Sequence, residues 1–371
     1  LSSKKTSPSD FKLHTEESQG QRFFSHIVCA SFAGMTGSVN GVNSNDFLSF
    51  ASKNRERKGE GRVQEREYAV DDYSLYYEII QEGPGDPGRS VCVTRFQGQA
   101  GEVAVPALVE GLPVTGIGKK AFLSRKNLYR VILPDTLEEI GDWAFAYCSG
   151  LKRVELPGRK IHFGRSVFLE CGSLEQIAAG AYEEGRGDFS RLLAAAVTML
   201  DAPYLLDIQE AGMAPWLAKW DAKLVQVLQA PDQEGYSRQV LCGEEDYGST
   251  DLAAYLSGRR KEKIRLCYLR LLHPQGLSRE LQEELEGYLC AHTKGRESSE
   301  SWQVLLEEHA AEREYYRLFA RLGCVDAGNL PGILEDIGDA HPEMKAFFLT
   351  WKGEIQEKKP VAPDFFADFE L

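Results

Sequence analysis

One block of the sequence repeats at a fixed offset, and that repeat limits the fold more than any other feature. Ile117, Ala121, Phe122, Leu128, Val131, Leu133 and Pro134 return 23 residues later as Ile140, Ala144, Phe145, Leu151, Val154, Leu156 and Pro157. A third pass supplies Phe163, Phe168, Leu174 and Ile177; Gly118, Gly141 and Gly164 keep the same period, and Cys148 is answered by Cys171. A unit of this size cannot bury its own apolar face, so it must stack on its neighbours. Ala144, Phe145, Cys148 and Leu151 have the spacing of one face of a short helix. Leu151, Val154 and Leu156 then surround a brief strand that Pro157 ends. Stacked strands lie about 4.8 Å apart, which brings Cys148 and Cys171 near each other. Separation alone leaves a disulfide open, and reduced core thiols are the expected state.

The wording IGDWAFAYCSGLKRVELP at 140–157 resembles the BspA-like class of bacterial leucine-rich repeats. The preceding VAVPALVEGLPVTGIGKKAF at 103–122 is similar, with a short insertion before its Ile-Gly pair. The resemblance runs over about residues 73–178. It implies a leucine-rich solenoid, and it implies a protein-binding role, commonly at a cell surface or in secreted proteins, without a fixed catalytic set.

Upstream, Tyr73–Ile80 and Val91–Phe96 read as two strands that cap the first rung. The segment joining them contains Gly83, Gly85 and Gly88 in a GxGxxG spelling. A dinucleotide fingerprint must open a helix, whereas here Pro84 and Pro87 interrupt and a strand follows, so a hairpin loop is expected. The solvent side of the rung strands offers Arg130, Ile132, Arg153 and Glu155, with Tyr129 and Lys152 beside them. Lys119, Lys120, Arg125 and Lys126 add positive charge on adjoining turns. These residues make a cationic strip, the candidate protein-binding site, with an ordinary solvated face as the alternative. The strip is also a candidate dock for the acidic half of the same chain.

After residue 187 helical spacing takes over. Helices are predicted over Phe189–Leu200, Pro215–Leu228, Leu252–His273, Ser278–His292, Trp302–Leu322, Asn329–Ile337 and Pro342–Trp351. The RRKEK run at 259–263 reads as a solvated helix face rather than a targeting patch. The stretch Ala230–Thr250 reads as a long loop carrying Cys242, Glu244, Glu245, Asp246, Tyr236 and Tyr247, either packed through its tyrosines or exposed for recognition. The end of the chain carries Phe365, Phe366 and Phe369 in an acidic setting, a segment that folds back or serves as a linear motif.

The expected organisation is a poorly structured amino-terminal arm (1–67), a leucine-rich-repeat solenoid with a β cap (68–187), an acidic helical domain (188–355) and an acidic-aromatic tail (356–371). The fold class is mixed α and β: a short leucine-rich-repeat solenoid of 23-residue period followed by an all-α helical domain. Of the formal charge of −13 over 371 residues, residues 188–371 carry most, with 20 Lys and Arg against 32 Asp and Glu. That balance argues against nucleic-acid partners, and the longest uncharged apolar stretch, Phe23–Met35, is too short to span a bilayer. None of the eight cysteines forms a CxxC pair, so neither a metal nor another cofactor is expected. Reduced thiols favour a cytoplasmic location. Secretion or surface display is the alternative, because the chain starts at Leu1 and its native start can have been lost. No hydrolase, metalloprotease, nucleotide-binding or kinase motif occurs. The expected function is a non-catalytic protein–protein interaction module whose partner the sequence does not name. The rivals are a secreted or surface adhesin, and an enzyme of unfamiliar type centred near Cys242 or His273.

Overall fold

The computed structural model describes residues 65–81, 88–180, 189–236 and 251–357. These residues belong to a single compact unit that starts at Gln64. The expected arm lies outside the described residues apart from its end, and there Arg66 and Glu67 open strand β1 (Arg66–Val70) rather than an irregular segment.

Strand β1 pairs antiparallel with β2 (Tyr73–Gln81), and β2 pairs antiparallel with β3 (Arg89–Gly98), the predicted cap. An extra residue in β3, Thr94, sits between the partners of Tyr76 and Tyr77. Such a bulge shifts the alternation, so Val91, Val93 and Phe96 all face the core. The joining residues 82–87, with Gly83 and Gly85, lie outside the described residues.

The repeat then winds between two parallel walls. One wall continues from β3 through β6 (Leu112–Ile117), β8 (Glu139–Ile140) and β10 (His162–Phe163), with β5 (Leu108–Val109) paired antiparallel on β6. The other runs β4 (Glu102–Ala104), β7 (Arg130–Ile132), β9 (Arg153–Leu156) and β11 (Gln176–Ala179). Register follows the sequence period: Ile117 pairs with Ile140 and Ile140 with Phe163, while Val131 pairs with Val154 and Val154 with Ile177. The recurring glycines allow the coils to approach closely. A Cβ on Gly141 would lie 2.7 Å from the backbone N of Lys119, and one on Gly164 would lie 2.5 Å from the N of Asp142.

The predicted short helix of each unit is a ladder of tight turns instead. Amides of Ala144, Ala146, Cys148 and Leu151 donate to carbonyls three residues back. Those of Trp143, Phe145 and Tyr147 donate to Arg165, Val167 and Leu169 of the next coil. That alternation needs left-handed backbone at Lys120 and Ser124, Trp143 and Tyr147, and Ser166 and Glu170, which repeat with the period of 23. Inside, the rings of Phe96, Phe122, Phe145 and Phe168 stack with centroids 5.3, 4.9 and 5.7 Å apart. Cys148 and Cys171 are free thiols, and their Sγ atoms donate to the carbonyls of Phe122 and Phe145 in the preceding coil, at 3.0 and 3.1 Å.

The helical part contains α1 (Ser190–Thr198), α2 (Met213–Gln229), α3 (Leu252–Leu272), α4 (Arg279–Ala291), α5 (Glu300–Glu308), α6 (Arg313–Arg321), α7 (Leu330–Ile337) and α8 (Pro342–Glu357). Helix α1 packs on β11 and closes the stack. The segment Pro203–Ala211, which carries no helical prediction, forms a 3-10 turn and a single α turn. The one helix predicted over Trp302–Leu322 is two. The amide of Glu312 bonds back to the His309 carbonyl, the His309 ring stacks on Tyr315 at 3.8 Å, and Arg191 of α1 pairs with Glu312 at 3.0 Å. Tertiary contacts thus stop a helix in a stretch that contains neither Gly nor Pro.

The RRKEK run also departs from expectation. Lys263 is buried, and its amine donates to the carbonyls of Leu228 and Ala230 and pairs with Asp232. Arg260 bridges Asp232 and Glu300, and Lys261 reaches Glu307. Helix α3 is central in the helical part, with neighbours on several sides, so Arg260, Lys261 and Lys263 tie elements together instead of forming a solvated face.

Candidate functional site

The strip residues come together on the β4–β7–β9–β11 wall. In-register parallel pairing sets Glu102, Arg130 and Arg153 in one row and Ala104, Ile132 and Glu155 in the next. The valines between them point into the core, so Arg130, Ile132, Arg153 and Glu155 face outward and are half-buried. Tyr129 and Lys152 precede β7 and β9 and are exposed, Tyr129 to 49%. Tyr129 packs against Gly101: a Cβ there would be 2.5 Å from the ring.

The charge of the strip differs from the sequence expectation. Arg130 donates to Glu155 at 2.7 Å and to Glu102 at 3.3 Å. Arg153 donates to the same Glu155 oxygen at 3.0 Å and also reaches Gln176. Burial raises the pKa of Glu155, but the two guanidinium groups outweigh it and hold the carboxyl below its ordinary value. The row is therefore a balanced Glu–Arg–Glu–Arg lattice with fixed directions of donors and acceptors, not a cationic surface. Spacing showed which residues would align, but did not show that Glu102, which the insertion sets out of the 23-residue offset, would pair with Arg130 and join them.

Positive charge gathers on the turn side instead. Lys119, Lys120 and Arg165 lie 5.0, 5.6 and 5.6 Å from the ring centre of Trp143. Asp142 accepts from the amide and guanidinium of Arg165 and offsets part of this charge. Arg125 turns inward to donate to the Phe96 carbonyl at 2.7 Å.

The helical part meets the end of the stack, not the strip. Gln209 donates to the Pro157 carbonyl at 2.8 Å, and Lys160 pairs with Glu210 at 2.7 Å. A cleft of about 230 Å³ lies in this seam, bordered by Leu156, Lys160, Phe163, Ala179, Leu193 and Tyr204. That volume is below the range of roughly 300–1,000 Å³ usual for small-molecule sites. His273 does not line it; it ends α3, where its carbonyl accepts from Arg270. Cys242, Glu244, Glu245, Asp246 and Tyr247 lie outside the described residues, as do Phe365, Phe366 and Phe369. Tyr236, at the start of the predicted loop, packs on Tyr255 of α3 with ring centres 5.3 Å apart.

Two features escaped the sequence reading. Arg270 is fully buried and forms a two-pronged pair with Asp221 of α2 at 2.6 and 3.0 Å. Cys290 and Cys324 bring their sulfurs to 3.0 Å across 34 residues of chain, a closeness no spacing rule signals. Among the described residues no helix is long and apolar enough to cross a membrane, and no group of three or more His, Cys, Asp or Glu is placed to hold a metal ion.

Comparison with known proteins identifies the repeat. The BspA type leucine rich repeat region matches residues 112–182 in 6 copies. Among solved structures, a leucine-rich repeat protein of T. pallidum is 33% identical over 28% of this chain and 46% of its own, with a TM-score of 0.26. The matched part of this chain thus spans less than half of that protein. A leucine-rich repeat protein from Bacteroides capillosus is 31% identical over 29% of this chain and 78% of its own, with a TM-score of 0.25. A leucine rich cell surface protein from Faecalibacterium prausnitzii is 28% identical over 32% of this chain and 31% of its own, also at 0.25. A search of curated proteins finds no match. Repeats of this type point to a protein-interaction module.

Proposed function

We propose that this chain, which belongs to the BspA-type leucine-rich repeat proteins through residues 112–182, is a non-catalytic module that binds a folded protein partner on its β4–β7–β9–β11 wall. The observation that carries this reading is the preset lattice of Glu102, Arg130, Arg153 and Glu155 beside an exposed tyrosine. Guanidinium and carboxylate groups already fixed by one another lose little side-chain freedom when a partner docks. Tyr129 supplies a rigid amphipathic contact of the kind enriched at interface centres, and Lys152 supplies a free-standing charge at its side. The arginines act as the floor, with Ile132 as the apolar patch between them. The buried, carbonyl-bonded thiols of Cys148 and Cys171 support a reducing, cytoplasmic setting for this module.

The test compares proteins captured from lysate of the encoding organism by the wild type and by a Tyr129→Ala/Lys152→Glu variant. Both substituted side chains are exposed, so the thermal midpoint is expected to stay within a few degrees while capture of a specific partner drops at least tenfold. An unchanged set of captured proteins at unchanged stability would remove this wall as the recognition surface.

A further inference from the structure

We propose that Cys290 and Cys324 form an oxidation site, a dithiol that closes to a disulfide by exchange with a small-molecule disulfide such as oxidised glutathione and reopens with thiol. The inference is independent of where partners bind. It begins with position: the Cys290 and Cys324 sulfurs stand 3.0 Å apart, against about 2.05 Å in a formed bond. A movement of about 1 Å therefore separates the two states.

The surrounding backbone is braced independently of the sulfurs. Arg296 donates to the Cys290 carbonyl at 3.2 Å and to the Gly323 carbonyl at 2.9 Å, so one guanidinium holds both cysteine segments. Asn329 adds a second link between the two segments, donating to the carbonyls of Lys294 and Cys324 at 3.1 and 2.9 Å. Neither clamp depends on the S–S bond. The segments stay in place whether the bond is open or closed, which favours repeated cycling over a single irreversible staple.

The two thiols differ in the way exchange requires. Cys290 is half-buried at the end of α4, whereas Cys324 is fully buried behind it. The hydrogen bond from Cys324 is the largest influence lowering the Cys290 pKa. Arg296 adds to it against the opposing effect of burial, and the thiol is brought to about 7. Cys324 is pushed up by the same hydrogen bond and by burial. A more accessible, partly ionised attacker next to a protonated resolving thiol is the usual division of labour in such pairs.

The remaining described cysteines are poor competitors. Burial pushes Cys148 up to about 11 and Cys171 to about 12. Cys92 is likewise pushed up to about 12 by burial, and Cys267 is fully buried in α3.

The chemistry balances without any group supplied by the protein. The Cys290 thiolate attacks one sulfur of the glutathione disulfide, breaks its S–S bond and releases one glutathione thiolate. Cys324 then gives up its proton and attacks the Cys290 sulfur, displacing the second glutathione. Two protein thiols lose two electrons, glutathione disulfide gains them, and the two released thiols carry off the two protons. The bond joins the end of α4 to the link between α6 and α7, and closes a loop across 34 residues.

The full-length protein is incubated with glutathione disulfide near pH 7.5, its remaining thiols are alkylated, and its peptides are mapped by mass spectrometry. A peptide pair linked through Cys290 and Cys324, lost on treatment with dithiothreitol, is the expected product. Closing the loop also raises the thermal midpoint of the oxidised sample by several degrees relative to the reduced one. In Cys324→Ser, Cys290 is expected to keep one glutathione as a trapped mixed disulfide. Cys290→Ser is expected to leave Cys324 unmodified. Wild-type protein that keeps both thiols free, or that carries glutathione on Cys290 with Cys324 reduced, overturns the proposal without reference to either variant.

Discussion

Tyr147 illustrates how this fold handles its sharpest turns. Its backbone is left-handed, at φ 61°, because its amide must reach the Leu169 carbonyl of the next coil while its neighbours bond within their own. An L-residue in that region costs about 1–2 kcal/mol, less for Asn, whose side chain tolerates the conformation. The Tyr147 ring is 49% exposed, so its packing offsets only part of that cost. Tyr147→Asn is therefore expected to stabilise the protein by about 0.5–1 kcal/mol, read from urea unfolding at unchanged slope. A loss of stability would show that the exposed ring contributes more packing than its surroundings indicate. The same residue explains a failure of the sequence reading. Left-handed positions usually carry Gly or Asn, and here Lys120, Ser124, Trp143, Tyr147, Ser166 and Glu170 occupy them. Without that signal, Ala144, Phe145, Cys148 and Leu151 imitate the face of a helix.

Among elements, the parts legible in sequence are those whose apolar residues repeat. The phenylalanine ladder, the pairing of Ile117, Ile140 and Phe163, and most helix positions follow from period alone. Elements held by polar contacts between distant residues were not legible. The break between α5 and α6 depends on His309, Glu312 and Arg191, and the burial of Lys263 depends on carbonyls at the end of α2. The candidate recognition wall was half legible: alignment followed from the period, but charge balance depended on Glu102, which an insertion takes out of the 23-residue offset. The Arg270–Asp221 pair between α3 and α2 belongs to the same class and gives it a magnitude. Arg270 has no exposure, and its guanidinium also donates to the carbonyls of His273 and Gln275. Removing the carboxylate leaves a buried charge without its counter-ion, which costs about 3–5 kcal/mol. Asp221→Ala is expected to lose that much in urea unfolding, and Asp221→Leu combined with Arg270→Met is expected to recover most of it. A single Asp221→Ala variant within about 1 kcal/mol of wild type would mean that water or the backbone carbonyls suffice for Arg270.

At the scale of the whole molecule, the question is whether solenoid and helices unfold together. A repeat stack is stabilised by nearest-neighbour contacts and needs a capped end. At the first coil the cap is β1 and β2; at the last it is α1, whose Leu192, Leu193, Ala194, Ala195 and Ala196 are all buried. The last coil therefore cannot lose the helices without exposing Ile177, Ala178 and Ala179 of β11 to water. Trp216 and Trp220 of α2 then fix α1 and the segment after it, donating to the carbonyls of Leu205 and Leu192, so the seam is continuous with the helical core. This arrangement predicts one calorimetric transition for the described unit. Leu193, 2% exposed and bordering the seam cleft with Leu156 and Ala179, is the residue to test it. Leu193→Asp removes a buried side chain worth about 1.5–3 kcal/mol and sets an unpaired carboxylate in an apolar seam. Because the damage is confined to the interface, coupling should suffer more than either core, and the single endotherm is expected to split in two. The lower transition then belongs to the uncapped solenoid and the upper one to the helical part, whose aromatic packing around Trp302, Phe319 and Phe348 is untouched. Two transitions already present in the wild type would mean that the seam transmits little, and that the helices cap the stack without stabilising it.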